Sequence, residues 1–241
     1  MLHFKLDPHC HTISSGHAYS SLQEMAAGAE KNGIELIVIT DHGPKMPGAP
    51  HPYYFGNIKT IPRWIGKTKI LRGVEANIIN HLGHIDIPEE FYDRLDVILA
   101  SLHDIVVPPD SVENNTKALI HAMENTFIDI IAHSGNPVYP IDIEQFVEAA
   151  RINHTLIEIN SHSYTARKGS YENCRKILKI AKSMELPVIL GSDAHISMDV
   201  GNFHYAYELI KEVEYPENLI MNISTEKFLR YLADKGKEIC F

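Results

Sequence analysis

Short β-rich runs alternate with amphipathic stretches along most of the chain. The candidate strands run from Phe4 to His11, Glu35 to Thr40, Lys69 to Glu75, Asp96 to His103, Ile128 to His133, Leu156 to Asn160 and Pro187 to Asp193. Between most of them the apolar spacing turns helical and start signals appear. Ser21 with Glu24 forms a capping-box pattern, and that helix stops at Gly33. Asp142 with Gln145 opens another, with Ile143, Phe146, Val147 and Ala150 on one face. Ser170 opens a third, carrying Tyr171, Cys174, Ile177, Leu178 and Ala181, and Ser224 opens the last, which ends near Gly236. Strands alternating with helices imply a parallel sheet. Seven such units fit a closed or nearly closed α/β barrel, a distorted (β/α)7 TIM-like fold; a doubly wound open sheet is the rival.

The chain has 241 residues. That length suits a single domain over residues 1–241, since barrels of this kind run to about 250 residues. No apolar run reaches the roughly 18 residues of a membrane span, and the N-terminus lacks a signal-peptide pattern. With 22 Lys+Arg against 31 Asp+Glu, the net charge is -9, which counts against a protein that coats nucleic acid. The three cysteines, Cys10, Cys174 and Cys240, form no CxxC pair, so a disulfide framework or thiolate zinc site is not expected and a reducing, cytoplasmic setting is. A homo-oligomer is compatible with the sequence.

Histidine is abundant, with 15 residues, and its placement matters more than its number. His9 and His11 end the first expected strand, Asp41 and His42 follow the second, Glu75 ends the third, His103 the fourth, His133 the fifth, and Asp193 and His195 the seventh. The C-terminal strand ends of a parallel barrel share one rim, where catalytic groups gather. A ring of buried imidazoles without partners would cost much desolvation free energy. His9 and His11 stand at i, i+2, so both face one side, and Cys10 faces the helices as inert packing. Asp193 and His195 repeat that spacing if the chain stays extended, and His17 follows the first strand closely. Asp41 aside, these nine residues, His9, His11, His17, His42, Glu75, His103, His133, Asp193 and His195, exceed one four-coordinate site and suit two or three ions of zinc, iron or manganese. Such clusters favour phosphoester hydrolysis.

The motifs Asp7-Pro8-His9-Cys10-His11-Thr12, Ile39-Thr40-Asp41-His42-Gly43-Pro44, Arg72-Gly73-Val74-Glu75-Ala76-Asn77, Ala132-His133-Ser134-Gly135 and Gly191-Ser192-Asp193-Ala194-His195 resemble, in this order, those of the PHP (polymerase and histidinol phosphatase) superfamily, most of all its YcdX-type metal-dependent phosphatases. The resemblance runs from the first strand to the seventh. It implies three divalent ions, zinc first and manganese or iron as alternatives. His9, His11, Glu75 and Asp193 would hold one; His17, His42 and His195 a second; and Glu75, bridging, with His103 and His133 a third. It also implies a nucleophilic water or hydroxide between two ions. Two departures stand out. Pro8 removes a ladder N–H, which predicts an irregular or open barrel beside the first strand, and Ser134 replaces the usual proline and affects the presentation of His133.

Asp7 and Asp41 are expected to orient ligating imidazoles. Arg167 and Lys168, past the sixth strand, offer a phosphate clamp, and with Asp41 they complete the candidate catalytic set. His51 and His162 lie in rim loops, Asn80 to Asp86 reads as a hairpin, and His121 as a solvated helix residue. The Pro-rich stretch from Gly43 to Thr68, with Tyr53, Tyr54, Phe55 and Trp64, either covers the site or packs a satellite core. The leading reading is a phosphatase for a small phosphorylated substrate. The alternatives are a phosphodiesterase or nuclease, a histidinol-phosphate phosphatase, and a non-catalytic metal-binding protein. An amidohydrolase-like enzyme is disfavoured, because the fourth strand ends Ser101-Leu102-His103 without the lysine that chemistry uses.

Overall fold

A computed structural model describes residues 2–241. Its strands are β1 Leu6–Cys10, β2 Leu36–Ile39, β3 Trp64–Ile65, β4 Thr68–Asn77, β5 Val97–Ser101, β6 Ile130–Ile131, β7 Leu156–Asn160 and β8 Val188–Gly191. All but β3 pair in parallel, in the order β1-β2-β4-β5-β6-β7-β8. The two-residue β3 pairs antiparallel with the start of β4. The helices are α1 Leu22–Lys31, α2 Tyr53–Gly56, α3 Val112–Met123, α4 Ile143–Ile152, α5 Ser163–Ala166, α6 Ser170–Ser183, α7 His204–Val213 and α8 Thr225–Asp234. The fold is thus a distorted (β/α)7 barrel, as the alternation predicts. The expected caps act at Ser21 with Glu24, at Asp142 and at Ser224. At α6 the expectation shifts by one residue. Ser170 is the first helical residue, and Gly169, at φ +98°, precedes it.

The core has two layers. Inside the barrel lie Leu6, Leu36, Val38, Leu71, Val97, Leu99, Ile130, Leu156 and Ile189, closed from below by Phe228 and Leu232 of α8. The larger outer layer packs the strands against the helices and includes Cys10, Met25, Ile70, Ile98, Phe146 and Leu178. Period-2 alternation sets this division.

β1 breaks the alternation. Leu6 and Asp7 pair with Leu36 and Ile37, but Cys10 pairs with Ile39, so three steps on β1 oppose two on β2. The extra residue falls at Pro8–His9, a bulge beside the proline that cannot donate to the ladder. It turns His9 and His11 to the inside and leaves Cys10 in the outer layer. Barrel closure is also irregular. β1 meets the chain just beyond β8 through a single parallel bridge, Cys10 to Ala194, with His11 N–H donating to the Ala194 carbonyl at 2.9 Å. At the other end Asn222 fills the gap. Its Nδ2 donates to the carbonyls of Leu6 (3.0 Å) and Leu190 (2.8 Å), and its Oδ1 accepts from Leu190 N–H (2.7 Å).

The Gly43–Thr68 connection packs a satellite core, and of its residues Met46, not Tyr53, Tyr54, Phe55 or Trp64, lines the cleft at the rim. Phe55 and Ile58 are buried in the outer core, whereas the Tyr54 hydroxyl reaches the buried carboxylate of Asp41 at 2.6 Å. Trp64 stands away from the rim, edge-on to Phe241. Asn80 to Asp86 forms the expected hairpin, closed by an Ile78–Ile85 antiparallel bridge. His121 is not a free surface residue, since its Nδ1 lies 2.8 Å from the carbonyl of His81 in that hairpin. No helix among the described residues is long and apolar enough to cross a membrane.

Candidate metal centre

Inward positions change character along each strand. On β4 the sequence runs Leu71, Gly73, Glu75, Asn77 and on β7 Leu156, Glu158, Asn160, apolar at the bottom and polar at the rim. The nine candidate residues meet at that rim. His9, His11, His42, Glu75, His133 and Asp193 are buried, His103 and His195 are partly exposed, and His17 is exposed at the edge.

Four ligand atoms form a compact group. His9 Nε2 lies 3.0 Å from His11 Nε2, 3.4 Å from Glu75 Oε2 and 3.5 Å from Asp193 Oδ1. His11 Nε2 is 3.5 Å from Glu75 Oε2 and 3.3 Å from Asp193 Oδ1. Four ligands about 2.0–2.1 Å from a tetrahedral zinc stand about 3.3–3.4 Å apart, so the group matches one ion. The other oxygen of Glu75 faces elsewhere, with Oε1 2.7 Å from His133 Nε2 and 3.3 Å from His103 Nε2. On the third side His42 Nε2 is 3.2 Å from His17 Nε2, and the His195 ring lies 4.9 Å from that of His17. Ligand atoms of His11, His42 and His195 also come within 4.8 Å of one another, so His11 and His42 each stand between groups.

Two observations test whether this set fits metal. First, the imidazoles are oriented from behind. His9 Nδ1 donates to Glu158 Oε1 at 2.7 Å, His103 Nδ1 to Asn77 Oδ1 at 2.8 Å, and His195 Nδ1 to the Asp193 carbonyl at 2.8 Å. His11 Nδ1 lies 3.1 Å from Ser15 Oγ. With Nδ1 committed, Nε2 is left with a lone pair toward the centre. Second, buried His42 Nδ1 and Glu75 Oε2 have no hydrogen-bond partner although only 2.8 Å apart. Unpartnered buried polar atoms are rare and ask for a missing partner. The donor set of imidazole and carboxylate fits zinc or a similar divalent ion.

The charges agree. Burial alone would raise the Glu75 carboxyl, but His103, His9 and His42 hold it well below the usual range. Asp193 is likewise held low against burial by His9, His11 and Arg167. Burial, with His42 and His195 beside it, keeps His11 well below the usual imidazole value. Burial and Arg167 bring His133 down to about 4. These shifts favour the anion at Glu75 and Asp193 and the neutral imidazole at His11 and His133, the forms ligation requires, whereas at His9 the carboxylates of Glu158, Asp193 and Glu75 overcome burial and hold the imidazole well above its usual range.

Several expectations need correction. Asp7 and Asp41 touch no imidazole. Asp7 accepts from the N–H groups of His9, Ser192 and Gly201 and from the Ser192 hydroxyl. Asp41 accepts from Thr12 N–H and Oγ1, Ser15 Oγ and Tyr54, so it acts on His11 only through Ser15. Asp193 sits at φ +56°, so the chain is not extended from Asp193 to His195. His133 sits at φ +31°, and the Ser134 hydroxyl beside it has no partner. Glu158, Ser15 and Asn77 were missed as supports. Glu158 shares inward parity with Leu156, and an acid there in a barrel interior is the signal that could have found it.

A cleft of about 640 Å³ opens over the centre, lined by His17, His42, His103, Leu102, Pro137, Val138, His162, Arg167 and Lys168 among others. Arg167 donates to Ser163 Oγ at 2.9 Å and lies 3.4 Å from Asp193 Oδ2, while Lys168 is exposed on the wall. His162 stacks 6.2 Å from His195, whereas His51 stays outside, stacked on Tyr53.

This architecture has close relatives. A probable phosphatase from Acetivibrio thermocellus is 50% identical over 236 residues, 98% of each chain. Another, from Clostridium acetobutylicum, is 49% identical over 97% of this chain and 96% of its own. Among solved structures, a histidinol phosphate phosphatase from Lactococcus lactis, complexed with zinc, L-histidinol and phosphate, shares the fold. It superposes with a TM-score of 0.63 at 20% identity, over 88% of this chain and 94% of that one. Residues 7–238, from the bulged first strand to the tail beyond α8, match the model of the PHP domain, and the chain belongs to that family.

Proposed function

We propose that residues 1–241 form one catalytic domain that hydrolyses small phosphate monoesters at a cluster of three divalent ions, zinc first. Hydrolysis of phosphoric esters is the chemistry that relatives at half identity support. The observation carrying the finer reading is Glu75, whose two oxygens face two separate groups of imidazole nitrogens. His9, His11, Glu75 and Asp193 are assigned to one ion, His17, His42 and His195 to a second, and Glu75, His103 and His133 to a third.

Bound ions supply Lewis acidity toward water and the phosphoryl oxygens. The chain's own residues do the rest. Arg167, held by Ser163 Oγ and Asp193, presents its guanidinium to phosphate oxygens. Lys168 adds positive charge on the same wall. Leu102, Pro137 and Val138 form the apolar side that receives the leaving group. A polynucleotide path would need a basic stripe, and the lysines and arginines of the wall are Arg167 and Lys168 alone, with Asp104 and Asp193 opposite in sign.

The test is metal content per chain alongside hydrolysis of an aryl phosphate, an aryl phosphodiester and single-stranded DNA, each with and without chelator. About three ions with chelator-sensitive monoesterase activity is the expected result. Activity confined to diesters or DNA refutes the monoesterase assignment, and chelator-insensitive turnover refutes the metal assignment.

A further inference from the structure

β7 offers no ligand candidate, yet its inward carboxylate lies against the centre. Glu158 is 1% exposed. Its Oε1 is 2.7 Å from His9 Nδ1, and its Oε2 accepts from the His133 N–H at 2.8 Å and from Asn160 Nδ2 at 3.1 Å. We propose that Glu158 is a positioning residue that locks the imidazole of His9 and the main chain of His133 to one another, so that two parts of the metal centre are set by one carboxylate. This rests on the metal-dependent reading above.

Three features carry it. The carboxylate accepts the hydrogen bond of His9 Nδ1–H, which leaves Nε2 facing His11, Glu75 and Asp193 at 3.0–3.5 Å. His133 sits in the left-handed region, a conformation unfavourable for a residue with a Cβ, and Glu158 holds its N–H. Finally, β8 ends on Gly191, where an added Cβ would lie 1.8 Å from Glu158 Oε1. The backbone there does not need glycine, so the space for the carboxylate does.

Glu158→Gln keeps the shape and removes this double acceptance. A carboxamide has one acceptor. With oxygen toward His133 and Asn160, its NH2 faces His9 Nδ1, which must then accept, and the imidazole proton moves to Nε2 and points into the centre. In the opposite orientation the NH2 faces two donors at His133 and Asn160. Either way one part of the centre is disturbed.

The experiment measures zinc affinity by chelator competition, the visible spectrum of the cobalt-substituted protein, and aryl phosphate kinetics, in the parent, Glu158→Gln, Gly191→Ala and the double variant. Expected are a zinc affinity about 10–100-fold weaker in each single variant, an altered cobalt spectrum, and a fall in kcat with KM little changed. The double variant should lose no more than the worse single one, because both changes act on one carboxylate. Should Glu158→Gln not fold, Gly191→Ala carries the same test. Parent-like zinc affinity and cobalt spectrum in the folded variants overturn the inference, as does full additivity in the double variant. A parent that binds no zinc overturns the metal-dependent reading, and the inference with it.

Discussion

Asn222 offers a quantitative check on how the barrel closes. Its buried side chain makes three hydrogen bonds, to Leu6 O, Leu190 O and Leu190 N–H, where the first and last strands lack a ladder of their own. Each bond contributes about 1 kcal/mol net, and a buried backbone group left alone costs about 1–3 kcal/mol. Asn222→Ala removes all three at once, so unfolding free energy should fall by about 3–5 kcal/mol. That is a large share of the roughly 5–15 kcal/mol a domain has. Asn222→Asp keeps the bond from Leu190 N–H but sets a carboxylate oxygen against two carbonyls, so it should be no better than Ala. The assay is urea unfolding of the metal-free protein, with midpoint and slope both fitted; the slope should not change, since the same surface is exposed. Zinc affinity and aryl phosphate kinetics of the loaded protein should stay near the parent, because Asn222 lies at the end opposite the rim. A loss below about 1 kcal/mol in Asn222→Ala, or parent stability in Asn222→Asp, would refute the account of closure.

Glu75→Gln should fold but bind fewer ions and turn over at least tenfold more slowly, since one oxygen of the proposed bridge becomes a non-ligating NH2; metal analysis showing full loading at parent turnover excludes bridging. Arg167→Ala should lower kcat/KM by tenfold or more, about 1.4 kcal/mol, with metal content unchanged and only partial recovery in Arg167→Lys; parent kinetics in Arg167→Ala would reduce the residue to a structural partner of Ser163 and Asp193. Cys10→Ala should keep metal content and most activity, because Cys10 packs in the outer layer; loss of metal from a folded variant contradicts that. Tyr54→Phe should lower activity modestly, the removed hydroxyl being one of three groups on Asp41 besides the Thr12 N–H; a hundredfold loss of kcat would place Tyr54 at the reacting atoms instead.

The rim was legible because it follows from two rules that act locally. Period-2 alternation assigns a face to each strand residue, and parallel topology collects strand ends on one side. Helix starts at Ser21, Asp142 and Ser224 were legible for the same reason, since a cap is a bond over three residues. What stayed hidden depends on contacts far apart in the chain. Asp41 reaches its partners Thr12 and Ser15 across 29 and 26 positions, and nothing in either segment fixes which acid meets which imidazole. The Gly43–Thr68 connection has no periodicity, so the division of work between Phe55, inside the core, and Tyr54, against Asp41, follows only from the packed fold.

Parity along β1 was a signal of a different kind. Leu6 belongs to the barrel interior, and so do His9 and His11. An even and two odd positions cannot share one face of a regular strand, so one extra residue must intervene between them. Pro8 marks where, because a proline has no ladder bond to lose at a bulge. The sequence alone allowed two courses: either Leu6 pointed outward, or the strand was broken. The structure takes the second course, with three steps on β1 against two on β2. The consequence reaches the centre. Without the bulge, Pro8 and Cys10 would face inward and both histidines would face the helices, leaving Glu75 and Asp193 as two buried anions with no imidazole from the first strand between them. A departure from ideal strand geometry is thus the condition for the ligand group, and restoring a regular β1 would regularise the ladder only by turning both imidazoles out of the centre.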